Sequence, residues 1–262
     1  MNELPPTAGL PLEWQDFLSA FFAANDDAGF LSSLAKFVDV PELDIFSSGT
    51  LCLSIAFETL KRITGRSKVI IPAYTCPLVA IAARAAGVEV LLCDTQFGST
   101  DMDLVALKEL CDETVAAVVP TDIAGLPCDI DAVLPVAKAA GAYVVQDSAQ
   151  ALGATLDGKS VGSAADIVVF SLAIGKGLSL YDGGIIATRD DELRHEIRQT
   201  AKTRVLKNSM MNLLRTIELF GFMFLYNPAA LPLVYGNPRR KWLDQGNLIT
   251  AVGEDFDFDI LS

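Results

Sequence analysis

From Lys68 to Arg189 the chain repeats one alternation, and that alternation restricts the fold more than any other feature. KVIIPA, VEVLLCD, VAAVVPTD, AYVVQDS, DIVVFSL and GGIIATR are apolar and β-branched over too few residues to be helices. Amphipathic segments such as LVAIAARAAG and DAVLPVAKAAG lie between several of them, and each closes on a glycine able to take a left-handed C-cap. Strands that alternate with helices in this way make a mixed, mostly parallel sheet with helices on both faces, an α/β fold. The pattern divides the chain into an N-terminal helical segment, 1–45, a sheet domain, 46–204, and a helical apolar segment, 205–262.

Composition agrees with one substantial core, because half of the 262 residues are apolar and a fifth are charged. A net charge of −13 would repel a phosphate backbone, so nucleic acid is excluded as an expected partner. Cys52, Cys76, Cys93, Cys111 and Cys128 form no CxxC pair, which favours reduced thiols in a cytoplasmic protein. His195 is the single histidine and lies in a charged stretch, so it reads as a surface helix residue and no metal site is expected. MNELPPTAGLPLEWQDF lacks the basic start and apolar core of a signal peptide. TIELFGFMFLYNPAALPLVY, Thr216 to Tyr235, is about long enough for a bilayer, but Glu218 and its prolines argue for a buried or interface helix pair, with no membrane span.

Chemistry concentrates after the strands. SSGTLCLSIAFETLKRITG reads as a tight turn feeding a helix whose first amides, after Ser48 and Gly49, could hold an anion. Asp94, Asp122, Asp147 and Ser171 fall at carboxyl ends of strands, where ligands of open sheets bind, although aspartate there is also a common helix cap. GATLDGKS, Gly153 to Ser160, matches a phosphate-loop pattern letter for letter. It lacks a strand leading in and a helix leading out: SAQAL before it looks helical, and Gly158 reads as a hairpin glycine. Lys176, in VVFSLAIGKGLSLYDGGIIAT, stands in a glycine-flanked turn between two strands. A lone lysine is usually a solvated charge. Beside it, however, come Asp147 and Gln150 of QDSAQALGA, Ser171, and the SSGT turn. Together they make an amine for an aldehyde, a carboxylate for a ring nitrogen, a donor for a ring oxygen and a cradle for a phosphate.

SSGTLCL, IPAYTCPLVAIAARAAGVEVLLCD, QDSAQALGATLDGKSVG and FSLAIGKGLSLYDGGII resemble, in order and spacing, the DegT-type (DegT/StrS) sugar aminotransferases. The resemblance implies a fold-type-I large domain that binds pyridoxal 5'-phosphate (PLP) over 46–204. It also implies a homodimer that moves an amino group from an amino acid, glutamate being the expected donor, to a keto group of a nucleotide-linked sugar. Such a reaction serves cell-surface polysaccharide or secondary-metabolite biosynthesis. On this resemblance Lys176 carries the cofactor as a Schiff base and shuttles the proton. Asp147 keeps the pyridine nitrogen protonated, Gln150 bonds the ring oxygen, and Ser171 with the amides of Gly49 and Thr50 binds phosphate. Where the family stacks an aromatic residue on the ring, this chain offers Cys76, with Tyr74 two positions earlier, and either could lie there. The family continues about a hundred residues further, into a small C-terminal domain, and carries a G-x-N-x-R-like motif not found here. The expectation is a chain lacking most of that domain. Two other readings remain: a PLP-fold remnant that only binds, and a phosphate-loop nucleotide-binding protein working through Lys159.

Overall fold

The structure, a computed structural model, describes residues 13–22, 27–173, 175–180, 182–205, 209–225 and 227–247. The acidic, proline-containing start over 1–12 and the end of the apolar segment, 248–262, lie outside the described residues. The helices are α1 Trp14–Phe22, α2 Asp27–Phe37, α3 Gly49–Thr64, α4 Pro77–Ala85, α5 Leu104–Leu110, α6 Ile130–Ala139, α7 Asp191–Arg204, α8 Ser209–Leu225 and α9 Asn237–Asp244. The strands are β1 Leu43–Phe46, β2 Lys68–Pro72, β3 Glu89–Cys93, β4 Val115–Val118, β5 Tyr143–Asp147, β6 Thr155–Leu156, β7 Lys159–Ser160, β8 Ile167–Ser171 and β9 Gly184–Ala187.

All six apolar runs become strands of one seven-stranded sheet, in the order β1-β9-β8-β5-β4-β2-β3. β3, β2, β4, β5 and β8 run parallel, while β9 is antiparallel to β8 and to β1. Successive residues serve opposite faces, as the two-residue period of a strand requires. Val69, Ile71, Val145, Val169 and Ile186 meet α3, α4 and α7 through Cys52, Phe57, Leu60, Ala82 and Ile197. Ile70, Val118 and Val144 pack on the other face against Leu107 of α5 and Val133 and Ala137 of α6. Val168, Phe170 and Ile185 cover that face further along, against Leu34 and Ala35 of α2. β4 is buried on both faces, which explains why its sequence has no polar alternation.

Local sequence sets the helix ends. Ser48 Oγ accepts from Leu51 N at 3.1 Å to start α3, and Asp103, Asp129 and Asp190 do the same for α5, α6 and α7. α4 and α6 end as their glycines predicted: Gly87 N reaches Arg84 O and Val88 N reaches Ala83 O, with the same pair of bonds after α6 from Gly141 and Ala142.

Two readings of the sequence change, and one alternative is removed. β1 is a strand although LDIF carries an acid and only four residues; its partner is β9, about 140 residues on, and its acid, Asp44, bonds Arg198 of α7. Residues 148–151 form a turn closed by Ala151 N to Ser148 O at 2.9 Å, not a helix. Lys159 and Ser160 form β7 of the β6–β7 hairpin, whose turn places Asp157 at φ 51° and Gly158 at φ 78°. A phosphate loop needs a helix starting at that lysine, so the hairpin overturns the phosphate-loop reading. Further on, α8 stops at Leu225, and Asn227 Oδ1 accepts from Ala229 N and Ala230 N, both at 3.1 Å, to begin the next turn. Among the described residues no helix is long and apolar enough to cross a membrane.

Candidate active site

Strand order reverses between β2 and β4, since the chain goes from β2 outward to β3 and returns to β4 on the other side. Loops at such a switch point separate, and the crevice between them is where open α/β sheets take ligands. Thr75 follows β2 and Thr121 follows β4 across this opening, with their Oγ1 atoms 3.4 Å apart. Next along the same edge come Asp147 at the end of β5, Ser171 at the end of β8, and the start of β9.

Asp147 is 3% exposed. Burial pushes its carboxyl up to about 6, against the opposing effects of the Ala149 amide, which donates to Oδ1 at 3.1 Å, and of the Lys176 charge. Asp122 adds a smaller push in the same upward direction. Lys176, half-buried in the loop between β8 and β9, is therefore near enough for its charge to be felt at Asp147. The backbone fixes that loop at both ends: Lys176 N donates to Ala173 O at 3.2 Å, and Leu172 N donates to Gly183 O at 2.8 Å.

The first turn of α3 ends at the same place. Helix geometry leaves the amides of Gly49 and Thr50 without an intrahelical acceptor, and Gly49 lies against Ser171: a Cβ added at Gly49 would be 3.4 Å from Ser171 Cβ. Gly184 of β9 lets the helix start come this close. A Cβ there would stand 2.4 Å from Gly49 N, a contact that only a shift of backbone could relieve. Ser171 is buried, and its Oγ accepts from Ala173 N at 3.3 Å.

Gln150 is exposed, and its Oε1 accepts from Ala124 N at 2.7 Å. That bond spends the carbonyl end of the amide on the turn Ile123–Gly125, so its Nε2 hydrogens are what it can offer a ligand. Tyr74 is 65% exposed, and Cys76, also exposed, is the N-cap residue of α4. Both flank Thr75 on the β2 side of the crevice. Among the described residues no group of histidine, cysteine and acids could hold a metal ion.

Sequence reasoning placed Asp122 at a strand end without a role, and passed over Thr75, Thr121 and Gly184. Spacing alone could not find them, because the neighbour each one meets comes from a distant part of the chain. Asp122 is fully buried and bonded to groups on β5 and the 126–128 loop.

A sequence model of the DegT/DnrJ/EryC1/StrS aminotransferase family matches residues 24–224. The chain belongs to this family. Among the relatives of this DegT-family chain is the GDP-perosamine synthase of Caulobacter vibrioides, 30% identical over 183 residues, which are 70% of this chain and 47% of that protein. Another is the UDP-N-acetyl-3-dehydro-alpha-D-glucosamine 3-aminotransferase of Acidithiobacillus ferrooxidans, 32% identical over 58% of this chain and 41% of that one. The chain spans about half the length of the curated relatives it matches. Helicobacter pylori PseC, an aminotransferase involved in the biosynthesis of pseudoaminic acid, shares the fold with a TM-score of 0.70 at 22% identity, over 79% of this chain and 58% of its own. S. venezuelae DesV, solved with a ketimine intermediate, is 25% identical with a TM-score of 0.63, over 71% of this chain and 50% of its own. The DegT-family chain thus has the fold its motifs implied, the mixed, mostly parallel sheet of the fold-type-I PLP transferases.

Proposed function

We propose that this chain binds pyridoxal 5'-phosphate and serves amino transfer, from an amino acid such as glutamate to a keto carbon of a nucleotide-linked sugar. The observation that carries the proposal is the meeting of a buried carboxylate, Asp147, with the charge of a loop lysine, Lys176, beside a helix start cleared by glycine. These groups come from three separate stretches of chain, and together they fit the cofactor. A buried carboxylate suits a ring nitrogen that must stay protonated, because its negative charge, little screened there, favours the protonated ring. Amides and a hydroxyl suit a phosphate, and an amine suits an aldehyde.

When bound, the cofactor supplies an aldehyde carbon that accepts amines and a pyridine ring that takes up the electron pair left as a neighbouring C–H bond breaks. The chain's own residues would do the rest. Lys176 would hold the cofactor and, once released by a substrate amine, carry the proton between carbons. Asp147 would keep the ring nitrogen's proton. Gln150, its carbonyl already occupied by Ala124, would donate to the ring oxygen. Gly49 and Thr50 amides with Ser171 Oγ would hold the phosphate, and Tyr74 or Cys76 would lie along the ring. The nucleotide-linked sugar is supported by the names of the relatives, a GDP-perosamine synthase and a UDP-linked glucosamine aminotransferase. A homodimer in the cytoplasm completes the reading.

Visible absorbance of the purified chain with PLP, beside Lys176→Ala and with glutamate added, tests it. A band in the wild type alone that glutamate bleaches is the expected outcome. A band that glutamate leaves untouched favours a chain that binds without turnover, and no band at all rejects the cofactor.

A further inference from the structure

Asp122 is a buried carboxylate to which the scheme above gives no part. It is 0% exposed, and both of its oxygens are met by donors. Oδ1 accepts from Cys128 N at 2.8 Å and from Gln146 Nε2 at 3.1 Å; Oδ2 accepts from Ser148 Oγ at 2.6 Å and from Gln146 Nε2 at 3.0 Å. Gln146 is itself oriented, because its Oε1 accepts from Gly162 N at 3.1 Å. Gln146 and Ser148 are the neighbours of Asp147 on either side. On an extended segment they share one face while Asp147 takes the other. Asp122 also donates its own backbone N–H to Asp147 O at 2.9 Å, and Asp147 N returns to Pro120 O at 2.9 Å. One residue at the end of β4 therefore holds three consecutive residues at the end of β5, and the middle one is the carboxylate of the site.

We propose that Asp122 is the positioning residue for Asp147, gripping Gln146 and Ser148 from beneath so that the Asp147 carboxylate is held at a single height and angle toward the cofactor's ring nitrogen. The inference rests on the PLP reading and goes beyond it in assigning a role to a residue that touches no ligand. Asp122 acts in a second way, through charge. Asp147 is faced by Lys176 from the loop after β8 and by Asp122 from the end of β4, the first favouring its ionised form and the second opposing it. With Asp122 neutral, Asp147 would give up its proton at a lower pH.

A double-mutant cycle on PLP affinity, followed by fluorescence from pH 5 to 8, tests this. Asp122→Asn is expected to weaken PLP binding about tenfold when Asp147 is present, the size of a lost orienting bond to a charged group. It should also move the pH step of binding downward. In an Asp147→Asn background the same change should alter affinity less than twofold and leave no step to move. An asparagine in place of Asp122 would turn its amide hydrogens toward donors and can damage the fold, so Ser148→Ala, which removes one grip only, is run in both backgrounds as well. It should weaken binding in the same direction and lose its effect when Asp147 is absent. Equal losses with and without Asp147, or an unmoved pH step, overturn the assignment and leave the PLP reading intact. A wild-type chain that binds no PLP overturns both.

Discussion

Asp147 links stability to pH with a sign opposite to that of most carboxylates. Burial raises its pKa from 3.8 to about 6, so between those values the folded chain keeps a proton that the unfolded chain has released. Its contribution is present in full below the lower value and is lost as pH rises through the higher one. A difference of that size corresponds to on the order of 3 kcal/mol. Asp147→Asn has no charge to bury, and without PLP it should melt above the wild type at pH 8 and level with it near pH 4. Thermal melts at the two pH values decide the point; a variant that melts lower at pH 8 would show that the carboxylate stabilises the fold. Lys176, Asp147, Gln150 and Ser171 are the candidates the sequence singles out, because each sits at a fixed offset from a strand. Asp122 could not be assigned, since its meaning lies in donors from Gln146, Ser148 and Cys128 that only folding brings to it.

At the scale of elements, the contact between α3 and β9 is the most sensitive joint. Gly184 is placed where any side chain would meet the backbone of Ser48 and Gly49 at about 2.4–2.5 Å. Gly184→Ala must push the helix start away from Ser171, at a cost of roughly 1–3 kcal/mol for overpacking. The amides proposed to hold the phosphate would then leave their position, so affinity for PLP should fall by more than about tenfold, and equilibrium dialysis would reveal it. Unchanged affinity would separate the helix start from phosphate binding. The glycine was visible in YDGGII, but the helix pressed on it was not. The same applies to β1, a strand through its pairing with β9 and not through its composition. The hairpin over β6 and β7 is the opposite case, where Asp-Gly between short runs announced the turn despite a competing motif.

Over the whole molecule, the end of the sheet away from the site is tied by Arg66. Its Nη1 donates to Val115 O at 3.0 Å, Ala140 O at 2.9 Å and Gly141 O at 2.8 Å, joining the approaches to β2, β4 and β5. Arg66→Ala leaves those carbonyls without their charged donor, and a loss of about 2 kcal/mol in urea unfolding is expected. PLP affinity should not change, because the amino ends of these strands lie a sheet's length from Lys176. A matching loss of affinity would mean that the two ends of the sheet are coupled.

Fold class, the strands of the 68–189 block and the glycine caps that close α4 and α6 could be read from the sequence, because each depends on neighbours within a few positions. Only the tertiary structure decided that strand order reverses between β2 and β4, that α3 starts against Gly184, and that Gln146 and Ser148 both donate to Asp122. Those features depend on contacts between residues tens to more than a hundred positions apart, and no local period records them.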